Sequence, residues 1–254
     1  MSPPLDALRS SVERLAALVA PLGDDDIVRP AYPSEWTIAQ VLSHLGSGAE
    51  IFTRLVTDSV AGVATPDDVA PSVWAEWDAR TPRAQVDDAL SCDAAFLAAL
   101  DAVAPDDRAR FSMPFGPLTV DWDDLVGMRL AEHLVHEWDV AVDLDPGATL
   151  GPDGTPFVLE RIGQIASWTA RASRDPRTTT IAVDEPEQTY SVVIGADSAE
   201  LVTGVSVPPV DVMMPAEAFI RLVYGRLDPD HTPPEVVVAD ADLLDQLRAV
   251  FPGF

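Results

Sequence analysis

The sequence predicts an α+β protein in which a four-helix bundle precedes a small unit of mixed helices and strands. Four stretches with helical apolar spacing fill the first 145 residues or so, and short β-branched runs separated by turns dominate the remainder. Between them lies the Pro/Gly-rich segment "DLDPGATLGPDGTP", residues 143–156. We therefore expect one domain over residues 1–150 and a second over residues 151–254.

The bundle helices are predicted from apolar periodicity and start signals. Thr37 and Gln40 match the S/T-x-x-Q capping box, so a helix is expected to begin at about Thr37. Pro82 precedes a third helical segment, and the fourth is the apolar stretch that ends at Leu144. The expected helices span residues 4–20, about 37–56, 83–103 and 120–144.

In the second unit, stretches with the helical spacing of apolar residues alternate with stretches typical of strands. One helix is expected over residues 156–173, followed by strands rich in Val, Ile and Thr. Pro215 suits the first turn of a later helix. The expected strands are residues 178–185, 189–195, 199–204, 210–214 and "EVVVAD", and the expected later helices are residues 215–227 and "ADLLDQLRAVF".

Composition excludes several classes of partner. The formal net charge of −26 argues against binding to DNA, RNA or anionic membranes. No uncharged apolar run is long enough to span a bilayer, and the first residues do not resemble a secretory signal. With a single cysteine there is no internal disulfide framework, so a cytoplasmic protein is expected. All 16 basic residues are Arg, which indicates a GC-rich genome.

The fourth helix carries a column of polar residues on an otherwise apolar surface. Arg129, Glu132, His136, Asp139 and Asp143 recur at steps of three and four. A helix that is apolar nearly all round is buried, and an unpaired buried charge costs several kcal/mol. Two arrangements would give these buried polar side chains the partners that they need. One is an internal salt-bridge network in which Arg129 neutralises a carboxylate, and the other is a metal ion bound by Glu132 and His136.

A metal needs a further ligand from another helix. His44 is the candidate, because it lies in an apolar stretch of the second helix that should face the core. Two His and one Glu form a common catalytic zinc set that leaves a position open. His133 and Glu137 are also four residues apart on the neighbouring face, and spacing alone does not decide between the two pairs.

Two motifs resemble the mycothiol-dependent maleylpyruvate isomerase family, which belongs to the DinB-like group of metal-binding four-helix bundles. They are "SEWTIAQVLSHL" and, some ninety residues later, "EHLVHEWDV". The segment "PAEAFIRLVYGRLDPD" is similar to the family's C-terminal domain, which has a sterol-carrier-like α/β fold. The resemblance covers nearly the whole chain, and the family pattern falls on Trp36, Thr37, His44, Glu132, His136 and Asp139.

The resemblance implies that His44, Glu132 and His136 are the ligands of zinc or another divalent metal. Asp139 is then expected to orient a ligand, with pairing to Arg129 or to backbone as the alternative. The family also implies mycothiol, a thiol of actinobacteria, as cosubstrate. A thiol bound at the open zinc position loses its proton and attacks a small electrophile, in an isomerase or an S-transferase.

An anionic substrate would need an arginine. Arg226 and Arg221, in the segment that resembles the family's second domain, are the catalytic candidates, and the alternative for each is a solvated surface residue. Arg80 and Arg83 are weaker candidates, and Cys92 is expected to be a small buried residue and not a nucleophile.

Two hypotheses of other classes stay open at this point. One is a non-catalytic small-molecule binding protein that keeps the metal bundle. The other is a metal-free polar network of His44, Glu132, His136 and Arg129. The expected oligomeric state is a monomer or homodimer, with a small electrophile and a low-molecular-weight thiol as the only partners.

Overall fold

The computed structural model describes residues 2–116, 118–204 and 209–253 and confirms the α+β class. It divides into two compact units, Met1–Ala148 and Thr149–Phe254. The first is the predicted helical bundle and the second contains the predicted sheet. Within the described residues, no helix is both long and apolar enough to cross a membrane.

Four long helices form the bundle, close to the predicted ranges. The predicted capping box is present, because Gln40 N donates to Thr37 Oγ1 at 3.2 Å and Thr37 N donates to Gln40 Oε1 at 2.8 Å. Asp121 caps the last long helix by accepting from Asp124 N at 2.8 Å. The four are α1 (Pro3–Val19), α3 (Ile38–Ala61), α5 (Pro82–Ala102) and α7 (Trp122–Leu144).

Shorter elements connect them. Strands β1 and β2 form an antiparallel hairpin directly before α7, with Met113 paired to Val120. The core of the unit consists of the apolar faces of the long helices, which include Leu15, Leu45, Phe96 and Leu134, each at most 1% exposed. The shorter elements are α2 (Asp24–Ile27), α4 (Val69–Asp78), α6 (Pro105–Arg108), β1 (Met113–Phe115) and β2 (Leu118–Val120).

The second unit contains a sheet of strand order β5-β4-β3-β6-β7, in which only the β3–β6 pair is parallel among the described strands. Its strands are β3 (Arg177–Asp184), β4 (Gln188–Ile194), β5 (Ala199–Thr203), β6 (Val212–Pro215) and β7 (Val237–Val238). Its helices are α8 (Thr155–Glu160), α9 (Ile162–Thr169), α10 (Ala216–Val223) and α11 (Leu243–Val250), with a 3₁₀ turn at Pro229–His231.

Two predicted helices of this unit are wrong in extent. The helix expected over 156–173 is divided into α8 and α9, because Arg161 has the non-helical angles φ −102° and ψ 0°. The helix expected to reach 227 ends at Val223, because Gly225 adopts φ +73°. A Cβ at Gly225 would also lie 2.5 Å from the carbonyl oxygen of Pro252, so only glycine fits at the point where the chain turns into the Arg226 segment.

The Gly46→Ala variant should be destabilised although alanine is the better helix former. A Cβ at Gly46 would lie 2.2 Å from Cη2 of Trp77 and 2.7 Å from Cα of Ala89, and backbone cannot move aside at small cost. We expect a loss of about 1–3 kcal/mol in the free energy of unfolding, measured in urea. Gly163→Ala is the matched control, since nothing lies within 4 Å of its added Cβ. Equal stability of the two variants would contradict close packing at Gly46.

Candidate metal site

Helices α3 and α7 bring the three expected metal ligands together. His44 Nε2 donates to Glu132 Oε2 at 3.1 Å, and His136 Nε2 lies 3.7 Å from the same oxygen. One ligand atom from each of the three side chains lies within 4.8 Å of the others. The helical spacing of Glu132 and His136 aims both at α3, so the sequence-predicted cluster exists as a contact between two helices.

Asp139 holds the ring of His136. His136 Nδ1 donates to Asp139 Oδ2 at 2.8 Å, and Asp139 is fully buried. An ionised carboxylate only accepts hydrogen bonds, so the proton belongs on Nδ1 and the lone pair of Nε2 faces Glu132. This contact is the orientation expected of a carboxylate beside a metal-binding histidine. Arg129, the alternative partner for Asp139, bonds to Asp93.

The electrostatics of Glu132 and His136 favour the protonation states in which these two side chains bind a metal. Burial raises the pKa of Glu132, but the hydrogen bond from His44 and the attraction to His136, His44 and Arg129 in their protonated forms outweigh it and lower the pKa to about 2. Burial lowers the pKa of His136 below its ordinary value, against the opposing effect of Asp139 and Glu132. At neutral pH the carboxylate is therefore ionised and the imidazole of His136 is neutral.

Trp36 forms one wall of the site. Its ring centroid lies 5.4 Å from that of His44 and 6.2 Å from that of His136, and the residue is 37% exposed. The loop that carries it is closed by the bond from Ala31 N to the Trp36 carbonyl at 2.9 Å, and it is tied to α7 by the bond from Tyr32 N to the Asp139 carbonyl at 3.0 Å. These backbone bonds hold an aromatic face beside the two imidazoles.

The donor set fits a divalent transition metal. Two imidazole nitrogens and one carboxylate oxygen suit zinc, and the side chains of His44 and Glu132 are 41% and 44% exposed. The exposed side leaves space for a further ligand from solution. The chemistry that this set allows is therefore binding of one cation with an accessible coordination position.

The neighbouring face of α7 contains a second polar cluster, which includes the pair that spacing left ambiguous. Ser11 Oγ lies 3.0 Å from His133 Nδ1 and donates to Glu137 Oε2 at 2.5 Å, and Arg14 Nε donates to Glu137 Oε1 at 2.7 Å. His133 Nε2 donates to Asp93 Oδ2 at 3.1 Å. His133 and Glu137 thus bind α1 and α5, away from the triad that includes His44.

Asp93 is the residue that sequence reasoning missed. It is 1% exposed on α5, where it accepts hydrogen bonds from Arg129 Nη2 at 3.3 Å and from His133. Arg129 also donates to the carbonyl of Leu45 at 3.3 Å. The sequence did contain a signal for it, because Asp93 lies among the alanines and leucines of an amphipathic helix. An aspartate that faces the core must have a cationic partner.

The two arginines predicted to bind substrate lie in the second unit. Arg221 is 2% exposed, its Nε and Nη2 donate to Glu217 at 2.7 and 2.9 Å, and its Nη1 donates to the carbonyl of His231 at 2.7 Å. Arg226 is half-buried and its Nη1 donates to the Tyr224 carbonyl at 2.8 Å. Arg221 Nη1 also donates to the Arg226 carbonyl at 3.4 Å, and Arg226 N donates to the Arg221 carbonyl at 2.6 Å, so Arg221 positions the Arg226 turn. A substrate contact for either residue stays a prediction.

The weaker candidates have structural contacts. The Arg80 guanidinium lies 3.7 Å from the Trp77 ring centroid, and Arg83 Nε donates to Asp24 at 2.8 Å. Burial, with the nearby negative charge of Glu50, raises the pKa of the half-buried Cys92 thiol, which disfavours the reactive thiolate. None of these contacts involves the three candidate ligands.

Comparison with known proteins decides the family. Residues 8–141, just over half of the chain, match the family model described as "Mycothiol maleylpyruvate isomerase N-terminal domain". The chain belongs to this family. The resemblance that the two sequence motifs indicated is therefore confirmed, and the matched range contains His44, Glu132 and His136.

Two further kinds of relative agree with this assignment. Uncharacterized proteins MT0763 and Rv0738 of Mycobacterium tuberculosis are each 25% identical over 173 residues, which cover 68% of this chain and 83% of theirs. The crystal structure of the mycothiol-dependent maleylpyruvate isomerase has a TM-score of 0.69 at 15% identity and covers 94% of this chain and 93% of its own. A histidine-to-alanine mutant of that isomerase has a TM-score of 0.66 at 15% identity and covers 89% and 90%. At this identity the likeness shows the fold.

The Asp93→Asn variant should lose much of its stability, because it leaves the buried guanidinium of Arg129 without a carboxylate. We expect the free energy of unfolding to fall by about 3–5 kcal/mol, measured by chemical denaturation. Asp101→Asn makes the same change on the same helix, but Asp101 is 50% exposed and its partner Arg9 33% exposed, so it should cost less than about 1 kcal/mol. If Asp93→Asn were as stable as Asp101→Asn, the buried cluster would not support the bundle.

Proposed function

We propose that this protein is a zinc-dependent enzyme that uses a thiol, mycothiol, to isomerise a small electrophile or to transfer sulfur to it. The convergence of His44, Glu132 and His136 on one point is the observation that carries the proposal. Membership of the mycothiol maleylpyruvate isomerase N-terminal domain family supports the enzyme class and the thiol, and favours isomerisation over transfer.

The side chains present perform defined tasks in this proposal. His44, Glu132 and His136 would hold a divalent ion, zinc by donor type, which when bound lowers the pKa of a thiol and stabilises its thiolate. Asp139 holds the His136 proton on Nδ1 and so keeps Nε2 available as a donor atom. Trp36 shields one side of the site from water, and the exposed side of His44 and Glu132 admits the thiol and the electrophile.

Isomerisation follows from reversible addition to a conjugated double bond. The thiolate forms a sulfur–carbon bond at one alkene carbon, and the π electrons move onto the conjugated carbonyl group. The former double bond is now single and rotates. Return of the electrons re-forms the double bond and expels the thiolate, so no oxidant or reductant is consumed. A transferase would protonate the adduct and release it.

An anionic electrophile would require a cationic side chain, and Arg226, positioned by Arg221, is our candidate in the second unit. The relatives from Mycobacterium tuberculosis fit the expected actinobacterial origin. Origin, a cytoplasmic location, the lack of nucleic-acid and membrane partners, and the monomeric or dimeric state stay predictions.

Protein purified without added zinc should contain about one equivalent of a divalent metal. His44→Ala removes one donor of the set and should lose the ion, because the two remaining side chains lie on a single helix. Metal content is measured by plasma mass spectrometry. His231→Ala is the matched control, since His231 bonds to Asp228 in the second unit and should not change the content. Equal metal content in both variants would refute the triad.

Turnover should require both a thiol and the triad. With mycothiol and a panel of conjugated electrophiles, maleylpyruvate included, we expect His44→Ala to lower kcat/KM by at least about 100-fold, because thiolate formation fails. S-methyl mycothiol is the control that keeps the ligand and removes the thiol. A metal-loaded protein that turns over none of the panel would instead favour the non-catalytic binding protein.

A further inference from the structure

The two imidazoles of the triad are held in different ways. His136 Nδ1 donates to the buried Asp139, and the side chain of His136 is 11% exposed. The side chain of His44 is 41% exposed, and its one hydrogen bond within the described part of the chain joins Nε2 to Glu132. A nitrogen that binds a metal no longer carries a proton to donate, so this bond cannot orient the His44 ring once an ion is bound. Another contact must do so.

The indole of Trp36 provides that contact. Its centroid lies 5.4 Å from that of the His44 ring, and the two planes are inclined by 46°. The same indole lies 6.2 Å from the His136 ring with the planes 22° apart, and the two imidazole centroids are 4.7 Å apart. Aromatic rings at such distances attract one another. Rotation of the His44 side chain away from the triad would break its contacts with both other rings.

The backbone that carries the indole is itself fixed beside both helices. Trp36 directly precedes Thr37, the N-cap of α3, and its carbonyl accepts from Ala31 N. Tyr32 N in the same loop donates to the carbonyl of Asp139, so the residue whose carboxylate orients one imidazole also anchors the loop beside the other. The indole therefore has a defined position relative to α3 and α7, and it can hold a ring that has no hydrogen bond of its own.

We propose that Trp36 is a positioning residue that holds the His44 imidazole in its metal-binding orientation, as Asp139 holds the imidazole of His136. An imidazole that is already ordered loses little conformational freedom when it binds an ion, so the indole increases the affinity of the site for metal. A non-aromatic residue could close the loop but would not provide the ring contact. The inference rests on the metal site of the proposed function and not on the thiol or the reaction.

Zinc affinity tests this role without turnover. In competition with a chelator, Trp36→Leu should raise the Kd for Zn²⁺ about three- to tenfold, whereas Trp36→Phe keeps an aromatic ring and should stay within about twofold of the wild type. Trp168→Leu is the matched control, since Trp168 is 50% exposed in the second unit and should leave the Kd unchanged. The visible absorption bands of the Co²⁺-loaded protein should change in Trp36→Leu, because the His44 nitrogen no longer keeps one position around the ion.

A metal-free measurement keeps the test valid if Trp36→Leu does not fold. In chelated wild-type protein, nuclear Overhauser effects should join the indole protons of Trp36 to the ring protons of His44, which are assigned with His44→Gln. Absence of these effects would overturn the positioning role, as would an increased Kd in Trp36→Leu that Trp36→Phe does not restore.

The two proposals fail in different ways. If the wild-type protein binds zinc and Trp36→Leu binds it equally well with the same Co²⁺ spectrum, the positioning role of Trp36 is refuted and the metal site stands. If the wild-type protein binds no zinc, the metal site of the proposed function is refuted and the positioning role with it.

Discussion

The ion pair between Arg129 and Asp93 is the interaction on which the polar architecture of the bundle depends. Both residues are almost fully buried, and Arg129 also bonds to the backbone of α3 at Leu45. One side chain of α7 therefore contacts α5 and α3 together. Because a buried charge without its partner is costly, this contact favours one rotation of α7 about its axis over the others.

That rotation separates two sets of titratable groups that are adjacent in sequence. Glu132 and His136 face α3, where His44 completes the triad, and His133 faces α1 and α5. Rotation of α7 by one residue would present His133 and Glu137 to α3 instead. The buried polar cluster around Asp93 thus joins helices to one another, whereas the cluster around Glu132 remains accessible from one side.

Two glycines on α3 serve different purposes. Gly46 lets α3 approach Trp77 and Ala89 without a side chain between them, so its role is close packing. Gly48 is partly exposed, and a Cβ there would lie 2.8 Å from Arg129 Nη1, so its role is to leave room for that guanidinium. One glycine admits α4 and α5 and the other admits a buried side chain of α7, so α3 packs closely against all three helices.

The sequence by itself determined the class of fold and the four long helices, because these depend on periodicity, capping and local spacing. The capping box at Thr37 and the i, i+4 pair on α7 are such local signals. Spacing alone left His133 and Glu137 as an equal alternative, and the family resemblance chose Glu132 and His136, the pair that lies beside His44 in the structure. Tertiary structure decided what no local pattern encodes: Asp93 as the partner of Arg129, the bond from Arg129 to the Leu45 carbonyl, and the approach of His44 to Glu132. These contacts join residues 36, 84 and 88 positions apart, so their energies depend on packing between helices and not on neighbours in the chain.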